Sequence, residues 1–88
     1  MQATNLLLEG AEIIAEREQV YGPPAENLNL IAQYWSAYLG VSITGADVAR
    51  LNALQKLARI RQTPNHKDSH LDAANYMALA FELETEDD

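Results

Sequence analysis

The chain has 88 residues, of which 48% are hydrophobic, with a formal net charge of −7 and no cysteine. This composition favours one small globular domain, excludes disulfides and thiolate metal sites, and argues against binding to duplex nucleic acid, whose affinity depends on a basic surface. No hydrophobic run approaches the length of a membrane span and no signal-peptide pattern is present. We therefore expect a cytoplasmic protein with no membrane partner.

Hydrophobic periodicity and capping residues predict four helices. The first begins near Thr4, a good N-cap, and stops before the rigid turn that starts at Tyr21. The second covers about 25–39, and Gly40 suits the position just after its end.

The third and fourth helices are predicted from their first residues. Thr44 and Asp47 resemble a capping pair that opens the third helix, and the fourth begins near Asp68 or Ser69. No strand-like alternation is present. The sequence therefore predicts an all-α fold, a compact four-helix domain.

We place the domain at 1–83 and an acidic flexible tail at 84–88. Four short helices leave a thin core, and four aromatic side chains cannot all be deeply buried in a single chain: Tyr34, Trp35, Tyr38 and Phe81. Because small scaffolds are commonly stabilised by self-association, we expect a homo-oligomer.

A polar, cationic stripe runs along one narrow face of the third helix, formed by Asn52, Lys56, Arg59 and Thr63. Arg50 and Arg61 occupy the solvent side of this helix, so Lys56 and Arg59 are expected to point toward other parts of the protein. A charge in that position needs an anionic partner, which would be an internal carboxylate or a ligand phosphate.

The fourth helix carries a second polar line with the same spacing: Asp68, Asp72 and Asn75, with Tyr76 beside it. If the third and fourth helices pack antiparallel, Asp72 would pair with Arg59 or Lys56. Two interpretations stay open. The lines form an interhelical salt-bridge ladder, or they form a pocket prepared for an anionic ligand.

Three further clusters have both a functional and a structural interpretation. Glu9 and Glu12 form an E-x-x-E pair suited to Mg²⁺, or they belong to a solvated acidic face. His66 and His70 flank Asp68, but their spacing fits surface histidines in a capping turn better than a zinc site.

The third cluster lies around the turn between the first two helices. Tyr21 and Asn27 offer a ring for base stacking and polar groups, and Arg17 lies one helical turn before Tyr21. The structural alternative is a tyrosine that covers the helix junction.

The ordered motifs resemble a family of small phage and prophage proteins grouped with the all-α, MazG-like nucleotide pyrophosphohydrolases. They are Arg17-x-x-x-Tyr21-Gly22-x-x-x-x-Asn27, Lys56-x-x-Arg59 and Asp68-Ser69-x-x-Asp72-x-x-x-Tyr76. The resemblance covers roughly residues 9–82. It implies a helical, oligomeric, nucleotide-handling protein that acts in the cytoplasm of an infected bacterial host.

The pyrophosphohydrolases bind Mg²⁺ through an E-x-x-E pair on one helix and an E-x-x-D pair on a later one, and they split a nucleoside triphosphate into monophosphate and pyrophosphate. Glu9 and Glu12 match the first pair in residue type. Asp68 and Asp72 stand in place of the second pair but have i, i+4 spacing, so the second pair departs from the family pattern.

The leading hypothesis is a non-catalytic protein that sequesters a phosphorylated nucleotide, such as a cyclic-nucleotide or ADP-ribose-type antiviral signal, in pockets between chains. The resemblance and the polar lines predict that the ligand is bound by Arg17, Tyr21, Asn52, Lys56, Arg59, Asp72 and Tyr76. It needs no catalytic residue and no cofactor.

Two alternatives differ from it in class. The first is a Mg²⁺-dependent nucleotide pyrophosphohydrolase, in which the metal would be held by Glu9, Glu12, Asp68 and Asp72. The second is a helical protein-interaction module, in which the polar lines simply pair with each other and bind no small molecule.

Overall fold

A computed structural model describes residues 1–85 of the chain as four α-helices. Their bounds are α1 Ala3–Tyr21, α2 Pro24–Leu39, α3 Gly45–Gln62 and α4 Lys67–Thr85. Residues 1–85 contain no strand, so the predicted all-α class is confirmed. The last helix continues through Thr85, and of the predicted tail only 86–88 lie outside the described residues.

The first two helices begin and end for different local reasons. The Leu6 backbone N–H donates to the Gln2 carbonyl at 3.2 Å, so α1 begins at Ala3 and the predicted cap at Thr4 is wrong. Pro24 is the first residue of α2, where its missing N–H costs nothing. Gly40 ends α2 with φ 72° and ψ 20°, a left-handed conformation that favours glycine, as predicted.

A capping box opens α3, as the sequence predicts. The Asp47 backbone N–H donates to Thr44 Oγ1 at 3.1 Å, and the Thr44 backbone N–H donates to Asp47 Oδ2 at 3.0 Å. The hydrogen bond from the Thr44 backbone, together with the one from its side chain, lowers the pKa of Asp47 from its ordinary value of 3.8.

Both histidines are engaged in the connection between α3 and α4. The Ser69 backbone N–H donates to His66 Nδ1 at 3.3 Å, which satisfies one donor of the first turn of α4. His70 Nε2 lies 2.8 Å from the Pro64 carbonyl oxygen. The predicted capping turn is therefore confirmed, and each histidine ring has a hydrogen-bonding partner within this connection.

The central helix is α4, which packs against all three others and most extensively against α3. Two ion pairs show that α3 and α4 run antiparallel: Arg50 Nη2 lies 2.7 Å from Glu84 Oε1, and Lys56 Nζ lies 3.2 Å from Asp72 Oδ2. The main core cluster is small and rich in alanine, and it consists of Leu28, Ala32, Val48, Ala49 and Ala80. Alanines let the helix backbones approach closely but bury little apolar surface.

The thin core leaves the large aromatic residues outside it, as predicted. The exposed fraction is 37% for Trp35, 69% for Tyr34 and Phe81, and 90% for Tyr38. Exposed apolar area of this kind commonly marks an interaction surface. The homo-oligomer stays a prediction. Within residues 1–85, no helix has the length and apolar character needed to cross a membrane.

Helix α1 is attached to α4 through its first half. Asn75 Nδ2 donates to the Gly10 carbonyl at 3.1 Å, and Lys67 Nζ lies 2.8 Å from Glu9 Oε2. A Cβ atom at Gly10 would lie only 2.6 Å from Asn75 Oδ1, so the absence of a side chain permits this close approach. The second half of α1 lies beyond these attachments and borders an open cleft.

Candidate functional site

A cleft of about 540 Å³ lies between the second half of α1, the start of α2, and the surfaces of α3 and α4. This volume falls within the range of roughly 300–1,000 Å³ that is typical of small-molecule sites. Five isoleucine and leucine side chains, all buried or half-buried, line it: Ile13, Ile14, Leu28, Ile31 and Leu79. The cleft therefore offers an apolar surface to a ligand.

Polar groups converge on the same space from all four helices. Half-buried Asn52 comes from α3, and half-buried Asp72, Asn75 and Tyr76 come from α4. Exposed side chains complete the lining at the rim, and they are Arg17, Glu18, Tyr21 and Asn27. An apolar surface with a few convergent polar groups is the usual arrangement of a ligand pocket.

The structure brings together five of the seven predicted ligand residues. Arg17 and Tyr21 line the cleft from α1, Asn52 from α3, and Asp72 and Tyr76 from α4. These residues are up to about 60 positions apart in the sequence. The antiparallel packing of α3 on α4 and the attachment of α1 to α4 bring them together in space. The cleft is formed by a single chain, and pockets shared between chains stay a prediction.

Two of the three cations predicted to bind the ligand, Lys56 and Arg59, lie outside this lining. Lys56 is half-buried and its ammonium lies 3.2 Å from Asp72 Oδ2, so the expected pairing of the two polar lines is confirmed for Lys56. Arg59 is exposed, and the expectation that it points into the protein is wrong. Arg59 lies in the last turn of α3, where Arg61 and Gln62 are exposed as well.

The four predicted metal ligands do not come together. Glu9 is paired with Lys67, while Glu12 and Asp68 are exposed. Among the residues the structure describes, no three His, Asp or Glu side chains form a group that would hold a metal ion. Asp72 lies in the cleft, but its carboxylate is already paired with Lys56. These residues do not fit the expected magnesium site.

Sequence reasoning missed Glu18 and the apolar lining. Ile14, Arg17, Glu18 and Tyr21 follow i, i+3, i+4, i+7 spacing, which places all four on one face of α1. That periodicity was sufficient to group Glu18 with Arg17 and Tyr21. The contribution of Leu79 depends on the packing of α4 against the other helices, which the local sequence does not specify.

The chain belongs to the DUF6378 family, described as a domain of unknown function, whose profile matches residues 5–84. It is similar to the Gene 55 protein of Mycobacterium phage D29, with 44% identity over 72 residues that make up 80% of this chain and 48% of the phage protein. It is also similar to the Gene 55 protein of Mycobacterium phage L5, with 36% identity over 86 residues, 96% of this chain and 55% of the phage protein.

These matches confirm the resemblance to a family of small phage proteins. The chain spans about half the length of the curated relatives it matches. No solved structure matches it significantly.

Proposed function

We propose that this member of the DUF6378 family binds a phosphorylated nucleotide in the cleft and sequesters it without chemical change. One observation carries the proposal: residues assigned to a nucleotide from the sequence pattern line a single cleft of suitable volume. The MazG-like resemblance, which is part of this proposal, supports the same ligand class. Neither the family description nor the relatives' names specify a ligand.

The chemistry of the lining suits the parts of a nucleotide. The rings of Tyr21 and Tyr76 and the apolar lining offer surfaces on which a base can stack. The amides of Asn27 and Asn52 both donate and accept hydrogen bonds, as base edges and sugar hydroxyls require. The guanidinium of Arg17 suits a phosphate at the rim.

The similarity to phage proteins supports a proposal for the biological role. A small protein that withholds a nucleotide acts by stoichiometric binding, and its targets would be low-abundance signals rather than abundant metabolites. We propose a cyclic-nucleotide or ADP-ribose-type signal of host antiviral defence. The cleft is open to solvent, and a second chain packed over its mouth would bury the ligand further and tighten binding.

Native mass spectrometry tests the proposal directly. The chain would be taken from its expression host and then titrated with nucleotides and cyclic nucleotides, with and without Mg²⁺. We expect an intact nucleotide to stay bound, and the mass of the complex also gives the number of chains. Ligand recovered only as cleaved product in Mg²⁺ would favour the pyrophosphohydrolase. A protein that binds nothing across the panel would contradict nucleotide binding. The helical protein-interaction module would then be the remaining hypothesis.

A further inference from the structure

The charge of the cleft points to one class of nucleotide. Arg17 is the only cationic side chain among the described residues that line it, whereas Glu18 and Asp72 both contribute carboxylates. The lining therefore supplies one guanidinium and two carboxylates, and one of those carboxylates, Asp72, is offset by the ammonium of Lys56 at 3.2 Å. A site built for a polyphosphate needs the opposite balance, because each phosphate adds negative charge that basic groups or a metal must offset.

Neither of the predicted α3 cations adds an unpaired positive charge to the lining. Lys56 is already neutralised by Asp72 across 3.2 Å, and Arg59 is exposed and lies outside the lining. A triphosphate would have to displace the Lys56–Asp72 pair or bind with Arg17 as the one cation among the described lining residues. Either requirement weakens binding relative to a ligand with less charge.

The uncharged polar groups lie deeper than the cation. Asn52, Asn75 and Tyr76 are half-buried beside the apolar residues, whereas Arg17 is exposed at the rim. A nucleoside therefore fits the interior, and a single phosphate reaches Arg17. We infer that the cleft recognises the nucleoside part of its ligand together with one singly esterified or diesterified phosphate, and that it discriminates against triphosphates. This inference rests on the proposed function.

Calorimetric titration of the full chain with a nucleoside, its monophosphate and its triphosphate, for each of the four common bases, tests the inference. For the base that binds best, we expect the monophosphate to bind about threefold to tenfold more tightly than the nucleoside, since it gains a charge-assisted contact. We expect the triphosphate to bind at least about fivefold more weakly than the monophosphate, with or without Mg²⁺.

Variants assign these differences to particular residues. Arg17→Gln should weaken monophosphate binding about fivefold more than nucleoside binding, while Arg61→Gln, an exposed cation outside the lining, should leave all three affinities within about twofold. Asp72→Asn removes one carboxylate and releases Lys56, so triphosphate binding should strengthen at least about fivefold. If that variant fails to fold, Glu18→Gln removes the exposed carboxylate at the rim and should likewise strengthen triphosphate binding.

The outcomes separate the two proposals. A triphosphate that binds most tightly to the unmodified chain, or an Arg17→Gln loss that is equal for nucleoside and monophosphate, would overturn the inference while nucleotide binding stands. No binding by any ligand of this panel, and none by a cyclic nucleotide or ADP-ribose in the same titration, would overturn both.

Discussion

Replacement of Leu71 by alanine should lower the free energy of unfolding by about 2–5 kcal/mol. Leu71 is 2% exposed on α4, the helix that contacts the other three, and truncation would leave a cavity that the surrounding helices close only in part. A domain of this size is commonly stable by only about 5–15 kcal/mol, so the loss is a large fraction of the total. Urea unfolding followed by circular dichroism measures it.

Leu54→Ala is the matched control, since it makes the same chemical change on α3 at a side chain that is 58% exposed. We expect its effect to stay within about 0.5 kcal/mol. A loss below about 1 kcal/mol for Leu71→Ala would contradict the packing described for α4. Equal losses at both positions would mean that another chain covers Leu54 in solution.

The largest effect on binding from an exposed residue is expected at Tyr21. Its ring is 83% exposed and lines the cleft, so it contributes little to the fold and is available to stack on a base. Stacking on an aromatic side chain is worth about 1–3 kcal/mol per base. Tyr21→Ala should therefore weaken nucleotide binding about tenfold or more, as measured by calorimetric titration.

Tyr38 provides the comparison, because its ring is 90% exposed but does not line the cleft. Tyr38→Ala should leave the affinity within about twofold of the unmodified chain. Similar losses for both variants would show that the effect of Tyr21→Ala does not arise from stacking in the cleft. An effect at Tyr38 alone would place the ligand on the outer face of α2.

Much of the fold could be predicted because its signals are local. The Thr44–Asp47 capping box and the left-handed Gly40 each depend on a few neighbouring residues. The predicted cap at Thr4 is wrong because the residue type gives only a preference for the capping position. The backbone of Gln2 accepts the first helical hydrogen bond instead.

The site could be predicted only where two elements share a periodicity. The i, i+4 spacing of Asn52 and Lys56 on α3 matches that of Asp68 and Asp72 on α4, so the Lys56–Asp72 pair was among the expected pairings. Arg59 lies seven residues after Asn52 on the same side of α3, but it is exposed in the last turn, and whether a last turn is covered depends on the packing of other helices, which the local sequence does not specify. Glu9 could not be assigned because its partner, Lys67, lies 58 residues away.

The most direct test of nucleotide binding in this cleft is a two-dimensional ¹⁵N–¹H NMR titration of the full chain with the ligand identified by native mass spectrometry. We expect the largest chemical-shift changes at the amides of Arg17, Tyr21 and Tyr76 and at the side-chain amides of Asn27 and Asn52, with the outer face of α3 around Leu54 unchanged. Changes that cluster around Arg59 and Arg61 instead, and spare the cleft, would contradict it.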